Sequence, residues 1–259
     1  MKKCFLILLL SLSWNLSART NRDNSAREFS VGGNAALELE NISGDITITA
    51  GDSNTISIRA DIEDDRIEVI MDQDGDRVTV ETVYPNNFRG GKKSSVHFTV
   101  EVPSETKLDI HSISGNIEAE GISGEINLKS TSGDIKATSL EGELSFKSIS
   151  GDVTMRQLGP SNVEANSISG DVELNEDSFA GESYLLASTS GDVLLNYGAN
   201  AAFTVTGRTV SGGVRSNDDD VRVVKAKYGP TTKLDGDVNG GGAKVTLNSI
   251  SGRVELSQN

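Results

Sequence analysis

From Leu37 onward the chain alternates apolar and polar side chains in short runs, and glycine interrupts those runs at a nearly fixed step. The interval Ser114 to Leu158 is the most regular: it reads SGNIEAEGI, SGEINLKST, SGDIKATSL, EGELSFKSI and SGDVTMRQL, a step of nine. Self-similarity at a fixed period marks a stacked array, in which each unit buries its apolar face against its neighbours. In the copy Asn166 to Asn175, Ile168, Gly170, Val172 and Leu174 share one parity, while Ser167, Ser169, Asp171 and Glu173 share the other. That is a strand with one buried face, and it places Ile113, Ile149 and Ile250 inward by the same rule. The glycine falls in the inward row, where it weakens a strand, so its recurrence predicts a bend or a close backbone approach. Nine is odd, so the buried row changes sides at each step unless corner residues restore it; Glu120-Gly121 and Ser139 are the expected corners.

The copies differ in strength. Ser-Ile/Thr/Val-Ser-Gly-Asp-like forms sit at Gly115, Gly133, Gly151, Gly170, Gly191, Gly212 and Gly252, while Gly124, Gly142 and Leu158-Gly159-Pro160 are degenerate. Strong copies from Gly115 to Gly212 recur every 18 to 21 residues with a weak one about midway. The expected fold is therefore all-β: a β-solenoid whose turns of 18–21 residues each hold one strong and one weak strand, stacked as two facing sheets.

Flanking patterns extend this reading. Leu37 to Ile48 is already one copy, and Thr55-Ile56-Ser57-Ile58-Arg59 is a further strand. Ile67 to Met71 and Val78 to Val83 flank Asp74-Gly75 as a hairpin, and the Asn-, Gly- and Lys-rich stretch Pro85 to Ser95 is the longest non-periodic loop. Residues 65–95 thus form a hairpin and loop insertion within a single solenoid domain, 37–259. The last strong copy ends three residues before the terminus with no evident cap, which predicts an open edge there.

The first residues change the picture. Met1-Lys2-Lys3, the apolar Phe5 to Leu12 and Leu16-Ser17-Ala18 read as a secretory signal peptide, 1–18, too short to span ~20 residues of hydrocarbon, and 19–36 as a flexible segment. Cys4, the single cysteine, lies inside the signal, so the exported chain has neither disulfide nor thiolate chemistry. Lys2 and Lys3 leave with it: 24 basic side chains become 22 against 38 acidic ones, a net charge of −16. Nucleic acid and anionic membrane surfaces are poor partners for that balance. The periplasm or the cell surface is the expected location.

The Ser-Gly-Asp-Ile/Val copies at Gly44, Gly133, Gly151, Gly170 and Gly191, with Val100-Glu101-Val102-Pro103 leading through Leu108-Asp109-Ile110 into Ser114-Gly115-Asn116-Ile117, resemble the bacterial DUF4097 family of adhesin-like proteins, related to the head domains of auto-transporter adhesins. The resemblance covers nearly all of the exported chain. It implies an elongated solenoid-like fold at the cell envelope with a non-enzymatic adhesive or scaffolding role, and it brings no catalytic residue. Gly142 between two glutamates, Gly213 where aspartate is usual and Arg253 in the last copy depart from the pattern.

Candidate chemistry is sparse. Two separated histidines, His97 and His111, supply neither a zinc set nor a nucleophile's base, and no Gly-x-Ser-x-Gly elbow is present. Asp72-x-Asp74-x-Asp76 lacks the glycine and the bidentate glutamate of a calcium loop, and the repeats lack the second glycine of calcium-binding β-rolls. No cofactor or metal is expected. The remaining candidate is an outward polar ladder: Ser132 and Asp134, Ser150 and Asp152, Ser169 and Asp171, Ser190 and Asp192, with Ser112, Ser130, Ser148, Ser167 and Ser188 on the same face. Such a lattice suits a glycan or an envelope protein, and its stacked like charges favour a cation or cationic partner. Two rival readings remain. One is an envelope-stress or regulatory accessory that binds one protein through the 85–95 loop or the open edge, where a second copy could also pair. The other is a carbohydrate-active β-helix enzyme, which needs a unique carboxylate pair that a uniform ladder does not offer.

Overall fold

The computed structural model describes residues 25–51, 54–85, 94–227 and 229–259. The signal segment and most of the Pro85 to Ser95 loop lie outside them. Among the described residues there is no helix, and 23 strands form two sheets. The strands that follow the Ser-Gly motif lie in one, of 11 strands in all; those that lead into it lie in the other, of 12. In the motif sheet Ile117, Ile135, Val153, Val172 and Val193 stack in parallel register. In the lead-in sheet Leu108, Ile126, Leu144, Val163 and Tyr184 do the same. The coiled parallel rungs read from the sequence are present, with two strands to a turn. Between the sheets lies one continuous core, built from the inward rows and filled where the later turns lengthen by an aromatic cluster in which Phe179 meets Tyr184 and Phe203, and Phe203 meets Tyr197.

Two kinds of corner close each turn. At the weak side Gly121, Ser139 and Gln157 stack in one file with φ of +75°, +51° and +50°, so the corner assigned to Glu120-Gly121 and Ser139 is a left-handed bend. Their neighbours Ile122, Leu140 and Leu158 turn inward and cap the core. The strong side holds the correction. There the chain does not keep its alternation: Ser167 is buried, Ile168 and Ser169 both point out, and Gly170 is buried again. The isoleucines Ile113, Ile149, Ile168 and Ile250, expected inside, are 53%, 47%, 51% and 51% exposed, while Ser112, Ser130, Ser148, Ser167 and Ser188, expected outside, are buried.

Hydrogen bonding explains why serine goes in and isoleucine out. At this corner the backbone cannot satisfy itself, and a buried N–H or C=O left alone is costly. Ser148, Ser167, Ser188 and Ser249 each accept from the N–H of the glycine three residues on, at 2.8–2.9 Å, and donate to the carbonyl of the glycine one rung back, at 2.8–3.3 Å. Thr209 repeats both bonds and Asn41 bonds the carbonyls of Gly44 and Val96, whereas the buried hydroxyl of Ser112 has no partner among the described residues. The close approach also explains the glycines: a Cβ on Gly170 would lie 2.1 Å from the carbonyl oxygen of Gly151.

The ends differ from the sequence reading as well. Residues 25–30, assigned to a flexible segment, form a strand that pairs antiparallel with Thr55–Ile62, which pairs in turn with Val96–Pro103. The expected hairpin Glu68–Asp74 and Arg77–Val83 is present and continues the lead-in sheet beside Ala36–Ser43. The last strong copy is not an open edge. Ala243–Ser249 inserts between Ser183–Ser188 and Phe203–Thr209, and Val254–Gln258 inserts between Val193–Tyr197 and Val214–Ser216. The far edge of the lead-in sheet is instead Val221–Lys225, paired antiparallel with Thr232–Val238.

Candidate functional site

The corner after the buried serine carries three parallel files. First comes an apolar file whose rungs, in spatial order, hold Ile113, Thr131, Ile149, Ile168, Thr189, Ile250 and Val210. Next to it stands the exposed serine file, with Ser132, Ser150, Ser169 and Ser190. Beyond the buried glycine lies the acidic file, with Asp134, Asp152, Asp171 and Asp192. All eight residues expected to form the polar ladder are therefore brought together on one side of the molecule.

The acidic file is tied to the backbone. Asp152 donates its N–H to Asp134 Oδ1 at 2.9 Å, Asp171 to Asp152 at 2.8 Å and Asp192 to Asp171 at 2.7 Å. Asn116 and Asp45 extend the series towards the N-terminal end. Arg253, a departure from the repeat, sits on the rung after Asp192 and closes it: its N–H reaches Asp192 Oδ1 at 2.6 Å and its guanidinium Oδ2 at 2.7 Å. Partial burial pushes the Asp192 carboxyl up, but the hydrogen bonds and charge of Arg253 outweigh it and hold the carboxyl below its usual range. The stacked carboxylates thus meet backbone N–H groups and one guanidinium instead of only one another. Among the described residues no three His, Cys, Asp or Glu side chains converge as a metal site.

On the other flank the apolar file and the outer face of the lead-in sheet line a groove of about 840 Å³. Its sheet-side wall carries His111, Lys129 and Lys147 on successive rungs, then Asn166, and Arg208 near the far end. Lys129 pairs with Asp109 at 3.6 Å and Lys147 with Glu164 at 3.4 Å, both as exposed pairs that contribute at most ~1 kcal/mol. The sequence reading missed this groove because it took the isoleucines for core. One signal was present: the position holds Thr131 and Thr189 as well as isoleucine and Val210, a mixture of polar and apolar β-branched residues that the core rows beside it do not show.

Both histidines face aspartates. His97 Nδ1 accepts from the N–H of Asp45, and His111 lies 3.7 Å from Asp109. Among the described residues the carboxylate most withdrawn from water is that of Glu176, whose pKa burial raises against the opposing N–H bonds from Ser178 and Leu158. It ties down a corner loop: its two oxygens accept from Leu158 at 2.7 Å and Ser178 at 3.3 Å.

Among solved structures, a putative adhesin from Bacteroides fragilis NCTC 9343 is 12% identical, with 93% of this chain and 99% of that chain covered and a TM-score of 0.41. A putative cell adhesion protein from Clostridium sporogenes ATCC 15579 is 11% identical over 92% and 100%, with a TM-score of 0.38. A putative adhesin from Parabacteroides distasonis ATCC 8503 is 12% identical over 92% and 98%, with a TM-score of 0.35. At such scores these likenesses carry no argument about function. No curated protein matches the sequence. The family model described as Toastrack DUF4097 matches residues 34–239, most of the chain, with the motif order and stacked rungs seen here, and the chain belongs to that family.

Proposed function

We propose that this protein is an exported, non-enzymatic binding module of the bacterial cell envelope, which holds an envelope component along the corner of its solenoid. The observation that carries the reading is the exposed apolar file. Isolated surface isoleucines are ordinary, but Ile113, Ile149, Ile168, Ile250 and Val210 lie in one line along a groove. Contiguous exposed apolar surface of this kind is kept where a partner covers it. The regular stacking makes the surface straight and repetitive, which suits an adhesive or scaffolding role better than chemistry at one point.

The test compares retention of envelope material from the host by immobilised full-length protein, by the pair Ile149→Ser with Ile168→Ser, and by the triple Asp134→Asn, Asp152→Asn and Asp171→Asn. The isoleucine pair is expected to lose retention and the aspartate triple to keep it. Loss confined to the aspartate triple would move the site to the acidic file. No retention by the unaltered protein, or release of reducing sugar from a polysaccharide panel, would overturn the reading.

A further inference from the structure

The groove's hydrogen-bonding state restricts what it can hold. An extended peptide adds to a protein surface through free backbone donors and acceptors, and those along this corner are already taken. The N–H groups of Thr131, Ile149, Ile168, Thr189 and Ile250 each donate to the serine carbonyl one rung back, at 3.0–3.3 Å. The serine hydroxyls beneath them bond glycine N–H and C=O groups, with Ser112 the exception. What remains is side-chain surface: mostly methyl groups along the floor, where Thr131 and Thr189 add hydroxyls, and on the wall Asn166, Asn248 and Glu164 beside the cationic groups.

We infer that the groove binds a single long-chain acyl amphiphile with an anionic head group, its chain along the isoleucine file and its head at Lys129 and Lys147. This deepens the binding role proposed above and rests on it. The dimensions agree: from Thr131, beside Lys129, to Val210 the file crosses five rung spacings of ~4.8 Å, or ~24 Å, and an extended chain of sixteen carbons with bonds of ~1.5 Å covers ~20 Å. Charge selects the head group. Lys129 and Lys147 stand on adjacent rungs at one end of the groove, in weak exposed ion pairs with Asp109 and Glu164 that an incoming anion can replace. Charge also selects one molecule over a bilayer. The whole chain carries −14, so an anionic membrane repels it while the local cation row still attracts a monomeric anion.

Hexadecanoate, below its aggregation concentration, is titrated calorimetrically into the full chain, with octanoate and hexadecylamine as comparators. Hexadecanoate is expected to bind at one site, octanoate at least a hundred-fold more weakly because it has eight fewer methylenes to bury, and hexadecylamine at least ten-fold more weakly. Ile149→Asp with Ile168→Asp should abolish binding, and Lys129→Glu with Lys147→Glu should weaken it at least ten-fold. These positions are exposed, and far-UV circular dichroism checks that each variant folds. Absence of hexadecanoate binding, indifference to either pair of substitutions, or binding to anionic vesicles in place of the monomer would each overturn the inference. If hexadecanoate fails to bind while envelope retention still depends on Ile149 and Ile168, only the ligand class falls; if both fail, the binding role falls with it.

Discussion

Replacement of Ser167 by alanine tests the inverted corner directly. Ser167 is 4% exposed, and its hydroxyl accepts from the Gly170 N–H at 2.9 Å and donates to the Gly151 carbonyl at 2.9 Å. Alanine leaves no large cavity but leaves those two buried groups without this partner. An unsatisfied buried donor or acceptor costs ~1–3 kcal/mol, so the pair is expected to cost ~2–6 kcal/mol in all. Equilibrium urea unfolding followed by far-UV circular dichroism should show the midpoint falling by about 1 M or more at ordinary slopes. In a stacked array the loss is felt first by neighbouring rungs, so hydrogen exchange at the Gly170 amide should accelerate as well. Two controls sharpen the result. Ser169→Ala, two residues away and exposed, should stay within ~0.5 kcal/mol. Ser167→Thr should be far milder than alanine, because Thr209 makes the same two bonds on its own rung, at 3.1 and 2.7 Å. Equal effects of Ser167→Ala and Ser169→Ala would refute the argument, since simple alternation treats both serines as outward.

Two further predictions follow from the same geometry. Gly170→Ala brings a Cβ to 2.1 Å from the Gly151 carbonyl and should cost ~3 kcal/mol or more through displaced backbone, whereas Gly121→Ala, at φ +75° with only Ala50 nearby among the described residues, should cost ~1–2 kcal/mol through strain; thermal unfolding of the two variants side by side checks the order. For Glu176, burial raises the folded pKa above the ordinary 4.5, so its protonated form is favoured in the fold, and the stability it contributes is present below pH 4.5 and lost as pH rises through the folded value. Glu176→Gln should therefore gain stability relative to the parent between pH 4 and pH 7, and melting midpoints that shift equally at both would count against a buried, titrating carboxylate.

Much of this fold was legible in the chain. The glycine step, the turns of 18 to 21 residues and the inward rows through Val153, Val172 and Val193 are local properties, because a strand with one buried face must write its period into its own residues. The left-handed corner at Gly121 and Ser139 was legible for the same reason: an odd step forces a change of parity somewhere. The serine corner was not. Alternation extrapolated through Ser167-Ile168-Ser169-Gly170 predicts an apolar residue inside, and only the neighbouring rung, whose glycine carbonyl must be satisfied, makes serine the better buried residue and sends isoleucine out. The groove was lost to the sequence with that one assignment.

Taken alone, then, the sequence determined that the chain stacks, with what period, and which residues form most of the core. The tertiary structure decided the order of the stack. The motifs at Gly191, Gly212 and Gly252 present nearly the same interface to a neighbour, so the local pattern is satisfied by any succession of rungs. Several interactions accompany the observed order: the Phe203–Thr209 strand is covered on its outer side by the antiparallel Thr232–Val238, and Arg253 is paired with Asp192. Repeats specify contact between like surfaces, and only long-range pairing, which no single repeat encodes, distinguishes one like surface from another.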